Sequence, residues 1–189
     1  ARFGIRDFLI FDELFTVNRK RVLRICEEIR RAGLRIRWHC RSRADVIDAE
    51  MARAMKAAGC RLVQLGIETG SPRLQRYINK NLDLEETRHV VELLARTGIQ
   101  VYADFIVGLP TETPEETRAT IAFAKRLPLD YAVFSMYVPF YDSAFYEMGL
   151  AQGWHGDFFR EFVANPSVPV PDASWNLQDA ATYYDIVSR

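Results

Sequence analysis

Leu62-Val-Gln-Leu-Gly-Ile-Glu68 runs directly into Thr69-Gly-Ser-Pro72. The first segment is a short apolar run of the kind that forms a buried strand. In the second segment, Ser71 is a typical N-cap and Pro72 is a typical first residue of a helix. A strand that turns at once into a helix is the building block of α/β proteins, so this stretch predicts that fold class.

The same strand-to-helix order recurs on both sides of this stretch. Four more segments have strand character: Asp7–Phe11, Leu34–Arg41, Gln100–Val107 and Tyr131–Val138. The intervening segments carry helix start and stop signals at Asn18, Gly33, Asp83, Gly98 and Thr113. Five strands that alternate with helices predict βαβ units and a parallel sheet.

The composition describes one globular domain. The 189 residues include 25 Lys and Arg against 25 Asp and Glu, and 49% of them are apolar. Zero net charge argues against a protein that coats nucleic acid or an anionic membrane, because both need a basic excess. No apolar run approaches the roughly 18 residues of a membrane helix, so we expect a cytoplasmic protein without a membrane span. A closed eight-stranded α/β barrel needs roughly 250 residues, and this chain is short for one.

The two ends of the chain differ from its middle. From Gln152 onward, loop residues are interleaved with aromatic ones such as Trp154 and Trp175. We therefore expect a barrel over residues 1–150 and an extension over 151–189 that packs its aromatic side chains on the barrel. The sequence begins at Ala1, close to an apolar run, so we expect it to be a piece of a larger protein.

Polar residues alternate with apolar ones in two strands that should be almost wholly apolar. Alternation places Gln64, Gly66 and Glu68 on one face of their strand. It likewise groups Asp104 with Tyr102, Ile106 and Gly108. Carboxylates and glycines on the inner face of a curved sheet predict a polar ligand that the backbone approaches closely.

The carboxyl ends of several strands carry polar residues, and α/β proteins place their sites at this edge. The rim candidates are Asp12, Glu13, His39, Arg41, Glu68 and Asp104. The alternative for each carboxylate is that it only caps a helix or pairs with an arginine. Ser71 begins a helix whose free N–H groups form an anion-binding site for a carboxylate or a phosphate. The alternative interpretation of this segment is a simple capped turn.

Two further groups of residues have plain structural interpretations. The segment from Arg19 to Arg43 holds ten Lys or Arg against two Glu. It could follow an anionic substrate or RNA, but the favoured interpretation is a solvated helix face, and nucleic acid is not the expected partner. Three cysteines, Cys26, Cys40 and Cys60, are too few and too scattered for a disulfide framework or a zinc site, so we assign no metal ligand.

Several motifs together resemble the radical S-adenosylmethionine (radical SAM) enzymes. They are Phe11-Asp-Glu-Leu-Phe-Thr16, Gly66-Ile-Glu-Thr-Gly-Ser71, Ile78-Asn-Lys80, Asp104-Phe-Ile-Val-Gly-Leu-Pro110 and Pro139. Trp38-His-Cys-Arg-Ser-Arg43 with Asp45 is most similar to the cobalamin-binding branch, which includes anaerobic Mg-protoporphyrin ester cyclases and methyltransferases. The resemblance implies a partial (β/α)6 TIM-like barrel with strands two to six present.

The same resemblance implies the cofactors and their binding residues. In such enzymes S-adenosylmethionine lies against a [4Fe-4S] cluster, and it yields a radical or donates a methyl group through cobalamin. By resemblance, Glu68 and Asp104 would bind the ribose hydroxyls or the methionine end of S-adenosylmethionine. Lys80 would bind its carboxylate, and Ser71 lies in a motif that matches the family's cofactor-binding pattern. Ile106 and Gly108 would border the adenine, and Pro139 would supply backbone contacts.

Two features depart from the family pattern. Phe140-Tyr-Asp-Ser143 stands where Gly-Thr is frequent, and the Cys-x3-Cys-x2-Cys segment that binds the cluster is absent from this sequence. We therefore expect the cluster ligands to lie outside this chain, cobalamin to bind another domain, and the chain alone to be inactive. The expected substrate is a small molecule, with tetrapyrroles among the candidates.

Two alternatives stay open at this stage. One is a degenerate barrel that binds a nucleotide or a partner without catalysis, and the other is the core of a tRNA methylthiotransferase. Because the family's first strand is absent, the first strand here should present an unpaired edge. That edge predicts self-association through strand pairing. The missing N-terminal part of the same protein is also an expected partner.

Overall fold

Five parallel strands form one sheet in the order in which they occur along the chain. The computed structural model describes residues 3–138, 140 and 142–151. The strands are β1 (Asp7–Ile10), β2 (Arg37–Ser42), β3 (Cys60–Glu68), β4 (Gln100–Val107) and β5 (Tyr131–Met136). Each strand pairs in parallel with its sequence neighbour. The predicted α/β fold is confirmed, and the sheet of the described residues is open rather than closed.

Helices connect the strands. They are α1 (Arg19–Arg31), α2 (Ala49–Ala57), α3 (Pro72–Tyr77), α4 (Leu84–Thr97), α5 (Pro114–Arg126) and α6 (Ala144–Ala151). The predicted N-caps are confirmed, because the side chains of Asn18, Ser71, Asp83 and Thr113 each accept a backbone N–H of the first turn. The local sequence alone therefore fixes where these helices begin.

Two predicted strand boundaries are wrong by a few residues. The segment predicted from Leu34 becomes a strand only at Arg37, because the Leu34 N–H donates to the Ile29 carbonyl in the turn that ends α1. β5 ends at Met136, two residues before the predicted end. Pro139 and the extension from residue 152 lie outside the described residues.

The core lies between the sheet and its helices. The apolar parity of β3 and β4 is confirmed, since Val63, Leu65, Ile67, Val101, Ala103 and Phe105 are completely buried. Met51 and Met55 of α2 pack in the same core. Burying each large apolar side chain contributes about 1.5 to 3 kcal/mol, so this layer holds the sheet against its helices.

The basic residues of α1 form a solvent-exposed face of the helix, as predicted. The Arg and Lys side chains along α1 are solvent-exposed, among them Arg19, Lys20, Arg24, Arg30 and Arg31. Cys26, Cys40 and Cys60 are buried free cysteines. Among the described residues, no helix combines the length and the apolar character that crossing a bilayer requires.

β1 forms one edge of the sheet and exposes apolar side chains there. Leu9 is 60% exposed and Phe11, directly after the strand, is 74% exposed. The register pairs Leu9 with His39, so Leu9 lies on the inner face of the sheet, opposite the helices. The expected exposed edge is confirmed, and pairing of that edge with another segment stays a prediction.

Candidate functional site

An open cleft of about 520 Å³ lies on the inner face, at the carboxyl ends of the strands. The structure brings six of the predicted site residues into its lining: Glu13, Arg41, Glu68, Lys80, Asp104 and Ile106. Other lining residues come from the same strand ends, including Ser42, Gln64, Gly66 and Ser135. Parallel strands carry these residues to a common edge, which is why residues far apart in sequence meet here.

Glu68 reaches the cleft through an unusual backbone conformation. Its φ is +69°, in the left-handed region, and the pairing of β3 with β4 shifts register between Gly66 and Glu68. A left-handed conformation costs a residue with a Cβ about 1 to 2 kcal/mol. Backbone strain of this kind clusters at functional sites, because the surrounding structure must hold it in place.

Glu68 and Lys80 form an ion pair on the floor of the cleft. Lys80 Nζ donates to Glu68 Oε1 at 2.8 Å, and both side chains are mostly buried. A Cβ added at Gly66 would lie 2.5 Å from Glu68 Oε1 and 2.9 Å from Lys80 Nζ. A side chain at position 66 would therefore displace the pair from its place directly over the strand.

Asp104 lies on the neighbouring strand, opposite Gly66 in the register. Gln64 Nε2 donates to Asp104 Oδ2 at 2.6 Å. The second carboxylate oxygen of Asp104 accepts no hydrogen bond from the described part of the chain, so it is available to a ligand that donates. Alternation along β3 placed Gln64 on this face, but its role as the residue that orients Asp104 was not predicted.

Two arginines border the cleft, and they differ in their partners. Arg43 forms a two-pronged pair with Asp45 at 3.0 and 2.8 Å and donates to the Lys80 carbonyl at 3.0 Å. It thus fixes the segment that carries Lys80. Arg41 has one long contact of 3.3 Å, from Nη1 to Glu13 Oε1, and its guanidinium lies 4.8 Å from the Phe11 ring centroid.

The structure turns Ser71 away from the cleft. Its hydroxyl donates to Glu116 Oε1 at 2.7 Å and accepts the Leu74 N–H at 3.2 Å. The preceding Gly70 N–H donates to Thr120 Oγ1 at 3.0 Å. These donors are already used within the protein, so the simple capped turn describes this segment. The contact between Ser71 and Glu116 was not predicted. In the sequence, the spacing of Glu116 from Thr113 indicated only a capping box.

Three other predicted site residues lie outside the cleft lining. Gly108 has a φ of +75° and opens a loop closed by buried Glu112, which accepts the Leu109 N–H at 2.9 Å. Burial raises the pKa of Glu112. Asp12 pairs with Arg21 at 2.8 Å. His39 is exposed on the inner face, closer to the amino ends of the strands.

The described residues contain no cluster of three or more His, Cys, Asp or Glu side chains placed to hold a metal ion. Burial raises the pKa of the Cys26 thiol to about 11. A hydrogen bond with Cys40, together with burial, raises the pKa of the Cys60 thiol. Both thiols therefore stay protonated at neutral pH. All three cysteines lie in the core under the helices, on the face opposite the cleft.

Curated relatives match most of this chain. An uncharacterized methyltransferase of Pyrococcus horikoshii is 37% identical over 149 residues, which are 79% of this chain and 32% of that protein. The anaerobic magnesium-protoporphyrin IX monomethyl ester cyclase of Rubrivivax gelatinosus is 32% identical over 145 residues, or 75% of this chain and 26% of the cyclase. The chain spans about a quarter to a third of the length of these relatives.

A solved structure has the same fold. The radical S-adenosylmethionine methyltransferase TsrM of Kitasatospora setae, with cobalamin and a [4Fe-4S] cluster bound, superposes with a TM-score of 0.65 at 28% identity. The match covers 71% of this chain and 26% of TsrM. The family model described as the radical SAM superfamily matches residues 1–124. Because that model matches two thirds of its length, this chain belongs to the radical SAM superfamily.

Proposed function

We propose that this chain is the S-adenosylmethionine-binding part of a cobalamin-linked radical SAM enzyme of the methyltransferase or oxidative-cyclase type. The observation that carries the proposal is the group formed by Glu68, Lys80, Asp104 and Gly66 at the carboxyl ends of β3 and β4. Family membership supports the cofactor, and the cobalamin-containing TsrM supports the branch.

The chemistry of this group fits S-adenosylmethionine. That molecule carries an ammonium, a carboxylate and a ribose diol. Carboxylates such as Glu68 and Asp104 accept hydrogen bonds from a diol or an ammonium, and the Lys80 ammonium pairs with a carboxylate. The missing Cβ at Gly66 lets charged groups approach the backbone closely. We assign Glu68, Lys80 and Asp104 to hold the ligand, with Ile106 as an apolar wall beside it.

The described residues do not fit a [4Fe-4S] cluster. Such a cluster needs several thiolates around one point, whereas Cys26, Cys40 and Cys60 are buried in the core behind the sheet. We therefore assign the cluster ligands to protein outside this chain and expect the chain alone to be inactive. S-adenosylmethionine beside such a cluster supplies a hydrogen-abstracting radical or a methyl group; the residues described here bind and orient it.

The substrate belongs to the same proposal. A small molecule fits an open cleft of this size, and the cyclase relative makes a tetrapyrrole a reasonable candidate. The chain spans only a quarter to a third of these relatives, so the substrate of the whole protein stays part of this proposal.

The direct test is the affinity of the whole protein for S-adenosylmethionine, measured by equilibrium dialysis. We expect Glu68→Gln and Asp104→Asn each to weaken binding about tenfold, which corresponds to about 1.4 kcal/mol, because each removes a charged acceptor. Glu85→Gln is the control, since Glu85 is an exposed carboxylate of α4 that pairs with Arg88. Unchanged affinity in both cleft variants would refute the assignment, and a wild-type protein that does not bind at all would favour the non-catalytic barrel.

A further inference from the structure

We infer that Gln75 of α3 is a positioning residue, which holds the Glu68–Lys80 pair in its ligand-binding geometry before any ligand is present. This inference deepens the proposed function and rests on it, because the pair is the part of the cleft assigned to S-adenosylmethionine. Gln75 is 1% exposed and lies outside the cleft lining, so it acts through the two residues that it holds.

Glu68 lies at the centre of a strained three-residue turn. The Thr69 N–H donates to the Ile67 carbonyl at 2.9 Å, and the φ of Glu68 is +69°. This combination is typical of the classic γ-turn, which is rare and strained. The turn takes Ile67 out of the pairing with β4, because the register passes directly from Gly66 to Glu68. The surrounding structure must therefore hold the turn in place.

The Gln75 side chain holds this turn. Its amide nitrogen donates to the Ile67 carbonyl at 2.7 Å and to the Thr69 carbonyl at 2.8 Å. These are the carbonyls of the residues on either side of Glu68. In an extended strand, carbonyls two residues apart are separated by about 6.6 Å, which is too far for one amide nitrogen to bridge at these distances. The two hydrogen bonds form together only while Glu68 keeps its turn.

Gln75 also holds the segment that carries Lys80. Its backbone carbonyl accepts the N–H groups of Lys80 and Asn81, both at 3.0 Å, and its Oε1 accepts the Leu82 N–H at 3.3 Å. Asn79 and Asn81, on either side of Lys80, have left-handed φ values of +55° and +54°. Three successive N–H groups of this unusual segment thus bind a single residue.

The buried amide of Gln75 links the two segments. A buried polar group is costly to leave unpaired, so the Gln75 amide favours the geometry in which its hydrogen bonds are made. Distortion of the turn or of the Lys80 segment would break some of them. The two segments therefore keep one relative position, in which Lys80 Nζ lies 2.8 Å from Glu68 Oε1. A site that is held in this way need not be ordered by its ligand, which strengthens binding.

The affinity of the whole protein for S-adenosylmethionine, measured by equilibrium dialysis, tests this role. Gln75→Met keeps the length of the side chain but removes its donors and its acceptor. We expect it to weaken binding about tenfold, which is the order of one or two lost hydrogen bonds. Unchanged affinity in Gln75→Met would overturn the inference and leave the proposed function intact.

Thr87→Val is the matched control for a buried polar side chain. Thr87 is also 1% exposed, and its hydroxyl donates to the Asp83 carbonyl at 2.7 Å in α4, outside the cleft lining. The control should leave the affinity unchanged. An equal loss of affinity in Thr87→Val would reduce the effect of Gln75 to general destabilisation, and the inference would fail.

A double-mutant cycle shows whether Gln75 acts through Glu68. In a Glu68→Gln background, Gln75→Met should weaken binding by no more than about threefold. The reason is that the carboxylate positioned by Gln75 is already lost there, and only the effect through Lys80 remains. A full tenfold loss in that background would mean that Gln75 acts independently of Glu68, which contradicts the inference.

Hydrogen–deuterium exchange of the whole protein, followed by mass spectrometry, needs no ligand. Segments 67–70 and 79–83 should be protected in ligand-free wild type, and Gln75→Met should speed their exchange about tenfold while that of β4 stays the same. Unchanged exchange in the variant overturns the inference. So does fast exchange in wild type that slows only with S-adenosylmethionine, and this second result is obtained even if the variant does not fold.

The exchange measurement also separates this inference from the proposed function. If wild type binds no S-adenosylmethionine but Gln75→Met removes protection from both segments, the proposed function fails and the positioning of the pair by Gln75 stands.

Discussion

Glu68 has a left-handed backbone conformation, and its carboxylate lies in the cleft. The conformation, with φ of +69°, can be tested apart from the side chain by comparing Glu68→Ala with Glu68→Gly. Both variants lose the contact with Lys80, but glycine adopts this conformation without strain. We expect the glycine variant to be more stable by about 1 kcal/mol, measured by urea unfolding.

Gln64 supplies the control for this comparison, because it lies in the same strand without a left-handed backbone. There the order should reverse, with Gln64→Gly less stable than Gln64→Ala by about 0.5 to 1 kcal/mol. If glycine were the less stable variant at both positions, the backbone of Glu68 would not be strained.

Residue alternation could predict which side chains face the cleft, but not what they contact there. The period of two put Glu68 and Asp104 on the inner face, and both line the cleft. Ser71 was expected to face the same rim, but its hydroxyl meets Glu116, which is 45 residues away in sequence. Partners that distant depend on how the helices pack, and a local pattern contains no information about that.

The helix elements α3 and α5 are joined by a polar cluster around Glu116. Arg73 Nε donates to Glu116 Oε1 at 2.9 Å, and the Ser71 hydroxyl donates to the same oxygen. Arg73 and these hydrogen bonds lower the pKa of Glu116 to about 2. The cluster ties the segment after β3 to the helix after β4, so it supports the rim on which Lys80 lies.

The lowered pKa makes this cluster sensitive to acid. Glu116 stabilises the fold fully above its unfolded pKa of about 4.5, and the contribution disappears as the pH falls through about 2. We expect Glu116→Gln to be less stable than wild type by about 1 to 2 kcal/mol near pH 7, a modest value because Arg73 is half exposed to water. Urea unfolding should show this difference shrinking between pH 5 and pH 2.

Glu115→Gln is the matched control for this element. Glu115 lies in the same turn of α5, and its pair with Arg118 is exposed on both sides. Its replacement should change the unfolding free energy by less than half as much near pH 7. A difference for Glu116→Gln that did not depend on pH would contradict the proposed role of its charge.

The start of a helix could be predicted from the sequence wherever an N-cap residue defines it. Thr113 and Glu116 form the reciprocal capping box that their spacing predicted, and α5 begins there. The start of β2 was placed too early, at Leu34, because an apolar residue in a helix-ending turn has the same pattern as one in a strand. Only the hydrogen bond back to α1 distinguishes the two.

For the whole molecule, the order of strands and helices was enough to predict a parallel sheet built from βαβ units, and the structure confirms it. Each strand pairs with its sequence neighbour, so the topology needed no long-range information. The exposed apolar side chains of β1 were instead expected from the family resemblance, because the family's first strand is absent from this sequence. The substrate could not be predicted this way, because the order of strands and helices does not determine the single side-chain contacts on which recognition depends.

The central claim is that S-adenosylmethionine binds in the cleft between β3 and β4. A crystal structure of the whole protein grown with S-adenosylmethionine tests it most directly. We predict that the ligand lies against Glu68, Lys80 and Asp104 on the inner face of the sheet. Density for the ligand at any other place, or an empty cleft in crystals grown at a saturating concentration of it, would contradict the claim.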